Sequence, residues 1–283
     1  MAIVSGEQLL FCADNLFSDS QYPDLALSTT TCATGYEGYH VATGRRHLID
    51  RYQPDTANVS CYVQVTCDVI RAASFIAIDR ESNHLGQRFV LYGSNDGFAT
   101  SRTVFDITIP NVPGGTPAGA VGCVTDEGAW LKTFTPDAFH AWRLWSAAMG
   151  SGVTQQITGI HLGLAWAPST VCTLEWQDEV LEMASLEARA PSGWVGRSAP
   201  STGRVGSLIF KPRNEADYAM IRWQVMGLFA HGFPAWLCFG KTDYPQRAMM
   251  VELVPGTLGW PLRMDYPYRQ LAIAFRESQP VWG

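Results

Sequence analysis

Residues 59–69, VSCYVQVTCDV, alternate without a break. Val59, Cys61, Val63, Val65, Cys67 and Val69 fall on one side of an extended chain, and Ser60, Tyr62, Gln64, Thr66 and Asp68 on the other. A helix would scatter these residues around its axis, so the segment is a strand with one buried and one wetter face. The stretch Ser74–Thr103 continues the theme. Phe75-Ile76-Ala77-Ile78 is an apolar run, Asp79 to Gly86 a polar tip, and Arg88 to Tyr92 a second alternating run that ends in Gly93-Ser94-Asn95-Asp96-Gly97. Asn, Asp and Gly tolerate the left-handed backbone that tight turns need, so this reads as strand, loop, strand, turn in an antiparallel sheet.

Further strands are expected at Leu9–Ala13, Val104–Ile109, Trp130–Phe134, His140–Trp145, Ile157–Trp166 and Cys172–Trp176. The Gly/Pro-rich segment 111–122 is expected to be loop. Pro, Ser and Gly then crowd residues 190–203, a linker composition. Beyond it, Val205–Lys211, Phe233–Phe239, Ala248–Val254 and Gln270–Arg276 read as strands. Residues 214–231 read as one helix, with Asn214 as N-cap, Glu215 and Asp217 in the first turn, and His231-Gly232 at the end. Ala216, Met220, Trp223 and Gly227 recur at helical spacing. The expected division is a unit over 1–185, a linker or arm over 186–204, and a β-rich unit with one helix over 205–283.

The chain has 283 residues, enough for two cores, with 47% apolar and only 16% charged residues. The net charge of −6, with no basic cluster, argues against nucleic acid and anionic membrane as partners. No apolar run reaches the roughly 20 residues that span a bilayer. The first residues lack a basic segment followed by an apolar core, so folding in the cytoplasm is expected. Seven cysteines at irregular spacing, without Cys-x-x-Cys, fit free thiols better than a disulfide framework or a zinc site.

The segment IAIDRESNHLGQRFVLYGSNDGF resembles the galactose-binding-like (discoidin-type) β-sandwich domains found in tail proteins of tailed bacteriophages. There, an Asp-Arg…Asn-His/Asn-Leu-Gly loop precedes a strand and a Gly-Ser-x-Asp-Gly turn. Residues 15–55, with Gly-Tyr-Glu and Gly-Arg-Arg, are similar to the opening of that family. More weakly, the helix followed by Phe233-Pro234-Ala235-Trp236-Leu237-Cys238-Phe239 is similar to tail-tube and distal-tail proteins. The resemblance implies a mainly β chain: an N-terminal jelly-roll-type sandwich plus a small antiparallel β domain with one α-helix. It further implies a non-enzymatic structural component of a phage tail tip or baseplate, located in the virion. Its partners would be itself, as a ring homo-oligomer, and other tail proteins such as tube and hub. The alternatives are a carbohydrate-binding adhesion module for host-surface glycans and, third, a glycan-degrading enzyme.

No nucleophile, P-loop, dinucleotide or His-Glu-x-x-His signature is present. A glycosidase pair would have to come from loop carboxylates such as Asp79, Glu81, Asp96, Asp126, Glu127, Glu175, Asp178 and Glu179. The candidate ligand loop is Asp79, Arg80, Asn83 and His84, whose polar groups suit sugar hydroxyls, with Tyr36, Tyr39 or Tyr52 as stacking rings. The competing reading is a structural corner pinned by an Asp79–Arg80 pair. No cofactor or metal is expected, since Asp50, Asp55 and Asp68 form no dense calcium-binding pattern. Trp194, Trp260 and Trp282, on exposed segments, are candidate inter-subunit anchors.

Overall fold

The computed structural model describes residues 2–4, 9–18, 20–33, 51–80, 82–111, 122–126, 128–150, 152–169, 172–180, 188–189, 195–196, 202–210, 214–239, 245–254 and 271–278. Within these the chain is mainly β. The strands are β1 (Ala2–Val4), β2 (Leu9–Cys12), β3 (Ala26–Thr29), β4 (Cys61–Ile78), β5 (Arg88–Ser94), β6 (Arg102–Thr108), β7 (Cys123–Val124) and β8 (Trp130–Ser146). They continue with β9 (Ile160–Gly163), β10 (Cys172–Val180), β11 (Ala188–Arg189), β12 (Val195–Gly196), β13 (Thr202–Phe210), β14 (Ala235–Phe239), β15 (Met249–Leu253) and β16 (Leu271–Glu277).

Two long bent strands make the sandwich. The first sheet runs β3-β4-β8-β5-β6, with β7 added on β8 and β9 on β4. The alternation at 59–69 forms β4 as expected, but β4 runs on to Ile78. Likewise Trp130–Phe134 and His140–Trp145, expected as two strands, are one strand, β8, with Pro136 at its bend. The β4/β8 register slips between Thr66 and Arg71 and again between Ala73 and Phe75. Such bulges bend a strand and sharpen its twist. The N-terminal half of β4 therefore pairs with the C-terminal half of β8 and with β3. The C-terminal half pairs with residues 130–133 of β8 and with β9. Both halves of each long strand thus face one core of Val63, Val65, Ile76, Ile78, Phe89, Leu91, Trp130 and Trp142. The bulge also corrects the reading of Val69 as inward-facing. It turns Val69 and Ile70 outward, 49% and 53% exposed.

The second sheet runs β1-β10-β13-β16-β15-β14-β2. Strands from 1–185 thus lie in the same sheet as strands from 205–283: β2 pairs with β14, and β10 with β13. Both β2 and β14 are buried on both faces, which explains their unbroken apolar runs. Leu9, Phe11, Ala235 and Leu237 pack towards the helix. Leu10, Cys12, Trp236 and Cys238 pack with Phe75, Ala77 and Leu131 on the back of the sandwich.

The expected helix forms with the expected ends. Asn214 caps it by accepting from the Asp217 amide at 2.7 Å, and Gly232 closes it at φ 90°. Only Glu215–Met220 is α-helical. Ile221–Leu228 is a wider π-type turn and Phe229–His231 a 3₁₀ turn. The widening rotates the buried stripe to Asp217, Ile221, Gln224, Val225 and Leu228, and leaves Trp223 exposed. Six cysteines, at 12, 32, 61, 67, 123 and 238, are free thiols, all buried but Cys32.

Candidate functional site

The loop singled out in the sequence is turned inward. Asp79 is buried, accepts the Arg80 amide at 2.8 Å, and donates its own amide to the Gly159 carbonyl. The Asn83 side chain donates to the Thr154 carbonyl at 2.9 Å and accepts from the Gln156 amide and the Gln155 side chain. Ser82 and Thr158 join the same seam through their hydroxyls. His84 is fully buried, and neither ring nitrogen makes a hydrogen bond of ordinary geometry. Burial holds its pKa down at about 4, so it is neutral near pH 7. Asp79, Ser82 and Asn83 are thus tied to the 154–159 segment, their polar groups spent within the fold. Tyr52, proposed as a stacking ring, is fully buried and bridges to Ile157. Tyr36, Tyr39, Asp50, Trp194, Trp260 and Trp282 lie outside the described residues.

The outer face of the first sheet gathers different chemistry. Direct cross-strand pairs share a face, and the register places Trp145 between Tyr62 and Val90, and Arg143 between Gln64 and Tyr92. Tyr62, Tyr92 and Trp145 are each partly exposed. The Arg143 guanidinium lies 4.5 Å from the Tyr62 ring centre and 3.9 Å from that of Phe98. Its Nε and Nη2 both donate to Gln64 Oε1, at 3.0 and 2.6 Å. Arg88 reaches over Trp145 at 5.8 Å and grips Asp106 through two hydrogen bonds, at 2.7 and 2.5 Å.

The turn after β5 delivers Phe98 to this face. Ser94 Oγ accepts from the Asp96 and Phe98 amides, and the Asp96 carboxylate accepts from the Ser94 hydroxyl and from the Thr100 amide and hydroxyl. Asn95 Oδ1 ties the turn to the His140 amide. These contacts hold Phe98 at φ 69°, a left-handed backbone uncommon for a residue other than glycine. The inner side of β5 is cut to match. A Cβ on Gly93 would sit 2.0 Å from the Phe139 ring. Sequence reasoning placed Tyr62 and Gln64 on the polar face of their strand but did not single out Phe98, Arg143 or Trp145. The pairing register between β4, β8 and β5 is what unites them.

Beside this face, a groove of about 700 Å³ opens between β6 and the first half of β8. Phe105 and Phe134 lie in its floor, Lys132 stands 6.0 Å from the Phe105 ring centre, and an Arg102–Asp137 ion pair of 2.9 Å spans it. Among the described residues, no three His, Cys, Asp or Glu side chains converge as a metal site would require.

No family model and no curated protein matches the chain. Among solved structures, it is similar to chitosan-binding module 1 of a chitosanase/glucanase from Paenibacillus sp. IK-5. The identity there is 13% and the TM-score 0.39, over 53% of this chain and 98% of the module. It is also similar to the family 32 carbohydrate-binding module of C. perfringens NanJ, solved with galactose, at 13% identity and TM-score 0.39 over 58% and 100%. A GH29 fucosidase from Ruminococcus gnavus matches at 8% identity and TM-score 0.41, over 54% of this chain and 27% of the enzyme.

Proposed function

We propose that the chain is a non-catalytic carbohydrate-binding protein, and that the outer face of its first sheet receives an oligosaccharide. The carrying observation is the row of partly exposed rings, Tyr62, Tyr92, Phe98 and Trp145, set among the fixed polar groups of Gln64, Arg143 and Arg88. Sugars offer an apolar ring face for stacking and hydroxyls for paired hydrogen bonds, and this surface supplies both kinds of partner. Across β4, β8 and β5 the face spans about 10 Å, at roughly 4.8 Å between neighbouring strands, which suits a short saccharide. The enzyme reading has less support. Asp79 is buried against backbone, and Asp96 is held within its own turn.

Glycan-array screening followed by calorimetry tests the proposal. Tyr62→Ala and Trp145→Ala are expected to weaken binding about tenfold each, some 1.4 kcal/mol, with unfolding still cooperative. A silent array, or binding unchanged in both variants, overturns it.

A second reading makes the chain a subunit of a phage tail tip, assembling with itself and with other tail proteins. It rests on the sequence resemblance and is favoured by one observation: the neighbouring exposed pair Val69 and Ile70 on the β4 bulge. Rings in mass photometry that vanish in Val69→Ser/Ile70→Ser would support it. A strictly monomeric protein at high concentration, with no partner in tail lysates, counts against it.

A further inference from the structure

Arg143 is a partly buried cation with no carboxylate partner among the described residues. Its neighbours are the Gln64 side chain and the rings of Tyr62 and Phe98. Two nearby carboxylates are otherwise engaged. Asp106 is gripped by Arg88, and Asp96 is filled by Ser94 and Thr100. A guanidinium has five N–H donors in a planar fork. Gln64 takes one edge, through Nε and Nη2, which leaves the Nη1/Nη2 edge for an oxyanion. The Tyr62 and Phe98 rings pack against the guanidinium and restrain it, and Phe98 is held there by a left-handed backbone. A structural staple between strands needs a cation and a ring. It does not need an oriented, uncompensated fork on an open face.

We infer that Arg143 is the receptor for a carboxylate, and that the glycan this face binds is acidic, built from uronic or sialic acid units. This rests on the proposed carbohydrate-binding reading. The guanidinium edge pairs with the sugar carboxylate through two parallel hydrogen bonds, and the flanking rings take the sugar ring faces. Gln64 acts as a positioning residue, since it orients the fork.

Calorimetry decides this with three probes on the full chain: oligogalacturonate, oligoglucuronate and sialyllactose. Each is titrated beside its neutral counterpart, the methyl esters for the first two and lactose for the third. At least one acidic probe is expected to bind at least tenfold tighter than its counterpart, and the preference should shrink as salt rises. Arg143→Met should erase the preference, so that each acidic probe and its neutral counterpart bind within about twofold of one another. Arg143→Lys keeps the charge without the fork and should recover only part of it. Phe98→Gly fits φ 69° without strain and so guards against a misfolded variant. It should lower the acidic preference several-fold at unchanged thermal stability. Neutral probes binding as tightly as acidic ones, or a preference that survives Arg143→Met, overturns the acidic-ligand inference and leaves carbohydrate binding standing. Binding of none of the six overturns both.

Discussion

At Gly163 the chain has no room for a single carbon. Its Cβ would lie 1.8 Å from the Asp14 carbonyl oxygen, because β9 passes directly against the segment that follows β2. The contact is backbone on backbone, so no side chain can swing aside. Gly163→Ala is therefore expected to give insoluble protein or to lose more than about 3 kcal/mol in urea unfolding, as overpacking against rigid backbone does. Gly97 is the contrasting case. It has nothing within 4 Å and only a positive φ of 70°, so Gly97→Ala should cost about 1 kcal/mol of backbone strain. Equal losses at the two sites would contradict this account. The turn at Gly97 is readable in Asn95-Asp96-Gly97, but the close approach at Gly163 is not, because in the sequence it is one small residue in an alternating run.

Among the elements, the helix shows how far local reading reaches. Asn214 as cap, acidic residues in the first turn and Gly232 at the end are local chemistry, readable from spacing alone. The use made of Asp217 is not. Its carboxylate accepts from the Trp166 indole at 3.2 Å and from the Ser169 amide and hydroxyl, residues far off in sequence, and so clamps the helix to the segment after β9. Gln224 repeats the device nearly two turns later, accepting from the Ala13 amide at 3.0 Å and donating to the Leu164 carbonyl at 2.6 Å. The π-type widening is what brings Gln224 onto the buried side, and a strict helical period pointed instead to Trp223. Asp217→Ala should cost about 2–4 kcal/mol, since it strands buried donors, whereas Trp223→Ala should stay within about 0.5 kcal/mol. Denaturant midpoints of the two variants check this, and a Trp223 effect as large as that of Asp217 would refute it. The strands follow the same rule. Period two revealed them, but the bends that make one strand of 61–78 and one of 130–146 arise from bulges and cross-strand pairing. The Arg143 cluster depends on that same pairing, which is why the site was harder to read than the fold.

For the whole molecule, three buried titratable groups set how stability responds to acid. His84, inside the sandwich, and His161, edge-on to Phe75 in the layer between the sandwich and the second sheet, are held neutral by desolvation, with pKa values lowered to about 4 and about 3. Asp14 lies in that junction too, hydrogen-bonded by the Tyr22 hydroxyl at 2.5 Å and the Leu164 amide at 2.8 Å. Burial raises its pKa to about 6 despite the nearby Arg71. Below about pH 6.5 the unfolded chain protonates both histidines while the folded chain does not, so each removes stability as the pH falls towards its folded pKa. Asp14 has the opposite sign. The folded state takes up its proton near pH 6 and the unfolded state only near 4, so acidification across that window adds stability. At pH 5 the histidines together cost roughly 4 kcal/mol relative to pH 7 and Asp14 returns roughly 1.4, at about 1.4 kcal/mol per unit of pKa difference. The protein should therefore lose roughly 2–3 kcal/mol between pH 7 and pH 5. Asp14→Asn, which removes the opposing group, should steepen that loss, and His84→Phe should shallow it. Urea titrations at the two pH values measure all three slopes. A wild-type protein more stable at pH 5 than at pH 7, or an Asp14→Asn variant with a shallower slope, would show that these buried groups do not govern the response.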